Sequence, residues 1–329
     1  MHFDRLFYLI PTYLQLYNDV KRQRSFINTH LSPEIEIARK NNDGTLDEDD
    51  FKKITSYYGF GVPAIVGEMF CTLHGKKMSE KERICNTYQG ALTGLFDDFF
   101  DKTGIGNKQI LSMADDPCSY PGKSSLENLF TSFLCKVYQN IPDLEKFKSI
   151  AYKVLDDQNI SLKQKDSLFK NEDLLALTIA KGGHSLLFYR SAFNFPFADG
   201  EKEAIYEIGG LMQFGNDIFD VYEDSRENID TLITVNQDIN IVKEAFQNQY
   251  NKAIEMAEKM NYPEKNKNLF IRKLIMGISR CYVCLDQLYH LQKKNEMKFD
   301  AMKFCRDDLI CDMEKPSNVL SFLKYYLIK

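Results

Sequence analysis

From Glu82 to Asp101 the positions Ile84, Thr87/Tyr88, Ala91/Leu92 and Leu95 fall three or four apart, the repeat of one face of an α-helix. Ser79-Glu80-Lys81-Glu82 in front of them has the form of a capping box, which marks where that helix starts. Comparable segments recur because helix breakers are sparse, with 9 prolines and 17 glycines among 329 residues. The spacing predicts further helices near Arg5–Thr29, Asp49–Leu73, Ser125–Gln139, Leu162–Lys181, His184–Ala192, Glu201–Asp224, Val242–Met260, Glu264–Lys293 and Ser317–Leu327. Nothing alternates as a strand would, and neither an internal repeat nor a linker rich in Gly, Ser or Pro divides the chain. The expected fold is all-α, with residues 1–329 as a single helical domain.

Composition then narrows the function. The chain is 44% hydrophobic, which supports a sizeable core and excludes a disordered polymer. Its 42 basic and 47 acidic residues give a net charge of −5, without a basic run, so nucleic acid is not an expected partner. No apolar stretch approaches the roughly 20 residues of a membrane-spanning helix, so stable membrane insertion is not expected either. The N-terminal segment carries Asp4, Arg5 and Pro11 and no small-residue cleavage site, which argues against a secretory signal and makes the cytoplasm the expected compartment. The eight cysteines are too sparse for a disulfide scaffold and are expected to be thiols, mostly in the core.

Two acidic segments carry the chemistry. Asp97-Asp98-Phe99-Phe100-Asp101 ends the capped helix, with Gly104 shortly after as its stop. Asp97 and Asp101 share a face at about 5–6 Å between Cβ atoms, and Asp98 lies roughly 100° round the helix. Acids crowded at the negative end of the helix dipole repel one another until a cation neutralises them, and hard divalent ions with oxygen ligands suit that role. In the second segment, Asn216, Asp220 and Asp224 are spaced i, i+4, i+8, one stripe close to the apolar side bearing Ile208, Gly209 and Met212. Inward-facing carboxylates there need a partner or a metal. Asp217 and Glu223 fall off the stripe and are expected to be solvated.

The pair DDFFD (Asp97–Asp101) and NDIFDVYED (Asn216–Asp224) resembles the aspartate-rich and Asn/Ser/Glu motifs of class I isoprenoid synthases, in particular the microbial terpene synthases. The resemblance implies a helical bundle around a central cavity. It implies Mg²⁺ as cofactor, a cluster of three ions with Mn²⁺ as a substitute, on Asp97, Asp98, Asp101, Asn216, Asp220 and Asp224. The substrate would be a prenyl diphosphate (geranyl, farnesyl, geranylgeranyl or longer), ionised and released as a cyclic terpene. A homodimer would be in keeping with the family. Asp220 and Asp224 stand where that family usually has Ser or Thr and Glu, and the extra acid also resembles the second motif of trans-prenyl diphosphate synthases. The alternatives are therefore chain elongation with isopentenyl diphosphate, or a head-to-head synthase of the squalene or phytoene type. Against elongation, the Arg-Arg after the first motif is missing.

The same resemblance assigns the diphosphate contacts. Gly182-Gly183 should interrupt a helix, each glycine being about 1 kcal/mol worse than Ala inside one, and similar enzymes have a broken helix here whose neighbouring cation senses diphosphate. Lys181 is the first candidate and Arg190 the second. Arg280 and Tyr282 loosely resemble the family's Arg-Tyr pair, and Arg226 could reach phosphate or pair with Glu223. A carbocation needs a dry, aromatic lining, which without Trp must come from 24 Phe and 18 Tyr. Thr93, Gly94, Gly182, Gly183, Gly209 and Met212 are small or modest groups expected to leave room for a prenyl chain, and Phe96, Phe99, Phe100, Phe219 and Tyr222 flank the acids.

Three other patterns carry less. Asn41–Asp50 imitates a calcium loop but places Arg39 and Asp50 at its end positions, so a turn into an acid-capped helix is expected. Cys281-Tyr-Val-Cys284, with Cys305 and Cys311, offers thiols for zinc, but within a helix it lacks knuckle geometry. His184 follows the glycine pair; a lone histidine is more often structural. The reading from a different class is a helical interaction protein whose acids are merely solvated.

Overall fold

The computed structural model describes residues 3–100, 104–166 and 169–329, the side chains of Phe3, Asp4, Asp97 and Asp166 excepted. Every regular element among them is helical: α1 (Phe3–Phe26), α2 (Ser32–Lys40), α3 (Glu48–Lys52), α4 (Tyr58–Gly61), α5 (Glu68–His74), α6 (Glu80–Asp98), α7 (Asn107–Asp115), α8 (Ser125–Asn140), α9 (Leu144–Ser161), α10 (Asn171–Arg190), α11 (Glu201–Phe219), α12 (Val221–Arg226), α13 (Leu232–Val235), α14 (Ile239–Lys259), α15 (Glu264–Lys294), α16 (Arg306–Leu309) and α17 (Pro316–Ile328). No described helix is long and apolar enough to cross a membrane. The chain forms two compact units, one of Pro11–Phe147 with Phe188–Phe195 and one of Met1–Ile10, Lys148–Leu187 and Pro196–Lys329.

In the first unit α6 is central. Ser79 caps it as its sequence indicates, accepting from the Glu82 amide while Glu82 accepts from the Ser79 amide. Cys85, Leu92 and Leu95 are buried, and Tyr88 lies 5.1 Å from Phe133 on α8. The expected single helix Asp49–Leu73 is instead α3, α4 and α5 joined by wider, π-helical turns at residues 53–57 and 62–67. Pro63 cannot donate to the ladder, and Gly59 and Gly90 bring backbones so close that a Cβ on Gly90 would fall 2.4 Å from the Tyr58 carbonyl. Helices α2, α7 and α9 were not anticipated.

The calcium-like loop is a turn into α3, closed by reciprocal bonds between Asp47 and Asp50. Asp43 accepts from Thr45 and from the Ser125 amide at the start of α8, and these bonds hold its carboxyl at about 2, below the usual 3.8. A depressed acid stabilises the fold above its ordinary range and loses that contribution as pH falls through its folded value. Asp43→Ala should therefore lower the melting temperature at neutral pH, and melts at descending pH should show the difference closing towards pH 2. A difference constant with pH would contradict this.

The expectation that all cysteines are thiols fails for one pair. Cys118, in the loop before α8, is disulfide-bonded to Cys135 on α8, 17 positions further along the sequence, with Cα atoms 5.0 Å apart. The other six are free. Spacing in sequence gave no sign of this, because the loop must fold back one helix to make the pair. Closing a loop of this length contributes about 3 kcal/mol. Thiol titration of the denatured, unreduced protein should find six groups, and Cys135→Ser should lower unfolding free energy by about that amount; eight thiols would refute the pairing.

In the second unit α11 packs on α14 and α15, and α15 on α17. Phe214, Phe246, Tyr282 and Tyr325 form a chain of ring contacts at 5.1–5.3 Å. The expected break at Gly182-Gly183 does not occur: α10 runs unbroken from Asn171 to Arg190. The glycines are needed for another reason. A Cβ on Gly182 would sit 2.1 Å from the Gly209 carbonyl oxygen, and one on Gly209 would sit 2.2 Å from that of Gly182. Two helices cross backbone to backbone there, and Gly210 meets Ile179 in the same contact.

Candidate functional site

The site is built on that crossing. Gly209, Gln213 and Asp217 form an i, i+4, i+8 stripe of α11, and Gln213 also packs against the Gly182 position. Asp217 is consequently buried rather than solvated, correcting the expectation from its place beside the acidic stripe. It accepts from Thr178 Oγ1 of α10 at 2.8 Å and from Gln213 Nε2 at 2.9 Å.

The neighbouring stripe holds Asn216, Asp220 and Asp224. Helix α11 ends at Phe219 and α12 begins at Val221, yet the i→i−4 bonds from Asp220 to Asn216 (2.9 Å) and from Asp224 to Asp220 (2.8 Å) continue, so the stripe survives the junction. Asn216 is exposed, not turned inward, and donates from Nδ2 to Asp220 Oδ2 at 2.6 Å. Asp220 and Asp224 are half-buried, and Glu223 is exposed as expected. Burial, then the charges of Asp217 and Glu223, push Asp220 up to about 6. Burial, then Asp217 and Asp220, push Asp224 up to about 8, while Lys181 pulls it down. Asp217 is raised mainly by burial and lowered by Gln213, Thr178 and Lys181. Asp217 thus disfavours the ionised form of both Asp220 and Asp224, and Asp220 that of Asp224, beside a lysine; perturbed acids of this kind cluster at functional sites.

Of the remaining candidates in this unit, Arg280 is exposed, with its guanidinium 5.9 Å from the Phe219 ring at the end of α11. Tyr282 is instead a core residue: its ring stacks on Tyr325 and its hydroxyl donates to Gln247 at 3.0 Å. Arg226 does not pair with Glu223; it donates to the Phe304 carbonyl and Met302 sulfur at 2.8 Å, anchoring the 301–304 turn. His184 meets Asp157 at 2.5 Å and the edge of Tyr206. Gly182, Gly183 and Gly209 do not leave room for a chain, because helix backbone and the Tyr206 ring fill the space they vacate; Met212 is half-buried.

The first motif lies in the other unit. Asp101 lies outside the described residues, as does the side chain of Asp97. Asp98 is turned inward and accepts from Lys53 Nζ at 2.9 Å; burial and then Asp50 push it up to about 6 against the pull of Lys53. Gly104 is left-handed at φ +62°. Phe99 is buried against Phe130 and Phe96 meets Phe100 edge-on. Thr93 bonds to Tyr189, and a Cβ on Gly94 would touch Lys53, so both are packed positions. Arg190 is no diphosphate sensor: it is fully buried, bonded to the Phe195 carbonyl and to His74.

The donor chemistry around Asp220 fits a hard divalent cation, being all oxygen with excess negative charge. Among the described residues no three His, Cys, Asp or Glu side chains already converge on one point. Thr178 and Gln213 escaped the sequence reading, and Asp217 entered it only as a solvated acid; four glycines in two pairs, one pair on each helix, were the available signal for the close crossing that turns them inward. Comparison with family models, with curated proteins and with solved structures gives no match to this chain.

Proposed function

We propose that the protein is a Mg²⁺-dependent terpene synthase, a carbon–oxygen lyase that ionises an allylic prenyl diphosphate. The observation that carries this reading is the set Asp217, Asp220 and Asp224, in which Asp217 raises both of the others and Asp220 raises Asp224, with Lys181 beside it and Asn216 on Asp220. Asn216, Asp220 and Asp224 would hold the metal, which when bound supplies positive charge to the departing diphosphate. Thr178 and Gln213 fix the Asp217 carboxylate, so the negative charge that draws cations is set in place before substrate arrives. Lys181 acts on that cluster and supplies a fixed positive charge for the diphosphate; Arg280, exposed by Phe219 and bonded through Nε to the Gly277 carbonyl, supplies a second. Phe219 presents an aromatic face next to the acids, suited to a carbocation.

The test is incubation with Mg²⁺ and geranyl, farnesyl, geranylgeranyl and longer diphosphates, with and without isopentenyl diphosphate, reading extracts by gas chromatography–mass spectrometry. Hydrocarbons or alcohols formed without isopentenyl diphosphate support the reading. Longer diphosphates formed only with it would assign the elongating reaction instead. No product from any substrate would favour an interaction protein.

A further inference from the structure

Within the second unit, the Cys281-Tyr-Val-Cys284 segment of α15 gains a third thiol from outside the helix. Cys281 and Cys284 lie one turn apart, and Cys311 reaches them from the irregular connector between α16 and α17. Gln287, the next turn of α15, donates to the Asp308 carbonyl at 2.6 Å and to the Ile310 carbonyl at 3.2 Å, which docks the connector on the helix. The Cys284 thiol has two acceptors in reach, the Ile218 carbonyl at 3.6 Å and Cys311 Sγ. Cys311 Sγ also accepts from Asn318 Nδ2 of α17 at 3.9 Å. Two donors on one sulfur favour its thiolate, and the Cys284 thiol holds Cys311 below the usual thiol range against its burial. Burial raises Cys71, Cys85 and Cys281 instead. Cys284 is fully enclosed, whereas Cys311 keeps 7% of its surface open beside the exposed Asp312.

We infer that Cys311 and Cys284 are a peroxide-responsive pair that closes into a disulfide between α15 and the α16–α17 connector. Cys311, which reaches solvent, meets the oxidant, and Cys284 resolves it, the division of labour of redox-sensing cysteines. The Cys311 thiolate attacks one peroxide oxygen and the O–O bond breaks. Its sulfur becomes a sulfenic acid, and the departing hydroxide takes up the proton that Cys311 released and leaves as water. Cys284 sulfur then attacks the sulfenic sulfur, so that the S–S bond forms, the S–O bond breaks and a second water carries off the Cys284 proton. The two sulfurs lose two electrons and the peroxide gains them. The pair needs no metal and does not depend on the diphosphate reading.

The native full chain is treated with hydrogen peroxide, its free thiols are alkylated, and the unreduced digest is mapped by mass spectrometry. One new cross-linked peptide is expected, joining Cys284 to Cys311, with the loss of two of the six free thiols on titration of a denatured sample. Cys71, Cys85 and Cys281 should stay reduced. Dimedone, which traps sulfenic acids, should label Cys311 in Cys284→Ala and leave Cys284 unlabelled in Cys311→Ser. The wild-type map requires no substitution, so it decides the pairing even where a variant at the enclosed Cys284 folds poorly. Six thiols after treatment, a loss confined to the exposed Cys305, a cross-link between other cysteines, or a sulfenic adduct on Cys284 in place of Cys311 would each overturn the inference.

Discussion

Replacing Gly209 with alanine is expected to remove about 3 kcal/mol of stability, the upper end for overpacking a core, although alanine favours a helix more than glycine does. The added methyl would lie 2.2 Å from the Gly182 carbonyl oxygen, and the obstacle is the backbone of a neighbouring helix, which cannot rotate away. Gly182→Ala meets the reciprocal contact at 2.1 Å and should behave alike. Gly183→Ala presses on the Tyr206 ring, a side chain with some freedom, and should cost less. Gly277 provides the control: open space surrounds it within α15, so alanine there should be neutral or gain up to about 1 kcal/mol. Urea unfolding of the four variants measures these differences directly. Wild-type stability in Gly209→Ala would mean that the two helices do not cross as described.

The second large effect concerns activity. Asn216→Ala and Asp220→Ala should each lower turnover about a thousandfold or more, the scale for losing a group that stabilises developing charge. Asp224→Asn should do the same while raising the melting temperature of the metal-free protein, because it removes a half-buried carboxylate whose ionised form burial, Asp217 and Asp220 all disfavour. Loss of activity with gain of stability separates a site residue from a structural one. Steady-state kinetics on the substrate found by product analysis, with melts in EDTA, give both numbers. If Asp224→Asn loses stability instead, the carboxylate is a structural partner and the assignment fails.

The helical class was legible because periodicity needs only the local chain, and the capping box at Ser79 formed as written. The acidic stripe was also legible, since i, i+4 geometry holds across the α11–α12 junction. What depended on neighbours was not. Gly182-Gly183 looked like a break when taken alone and is a contact surface once Gly209 is opposite it. Asp217 looked solvated from its position on the helix and is buried because that crossing brings Thr178 to it. Arg190 and Tyr282 have side chains suited to phosphate, but tertiary packing encloses both in cores. Cys118 and Cys135 are joined by a loop fold that no spacing rule reveals.

The central claim, that these acids hold divalent cations against a diphosphate, is tested most directly by thermal unfolding with inorganic diphosphate and Mg²⁺, each alone and then together. Ligands that bind only the folded state raise its melting temperature. The account predicts a shift that requires both components and disappears in Asn216→Ala. No shift with both present, or an equal shift in Asn216→Ala, would contradict it.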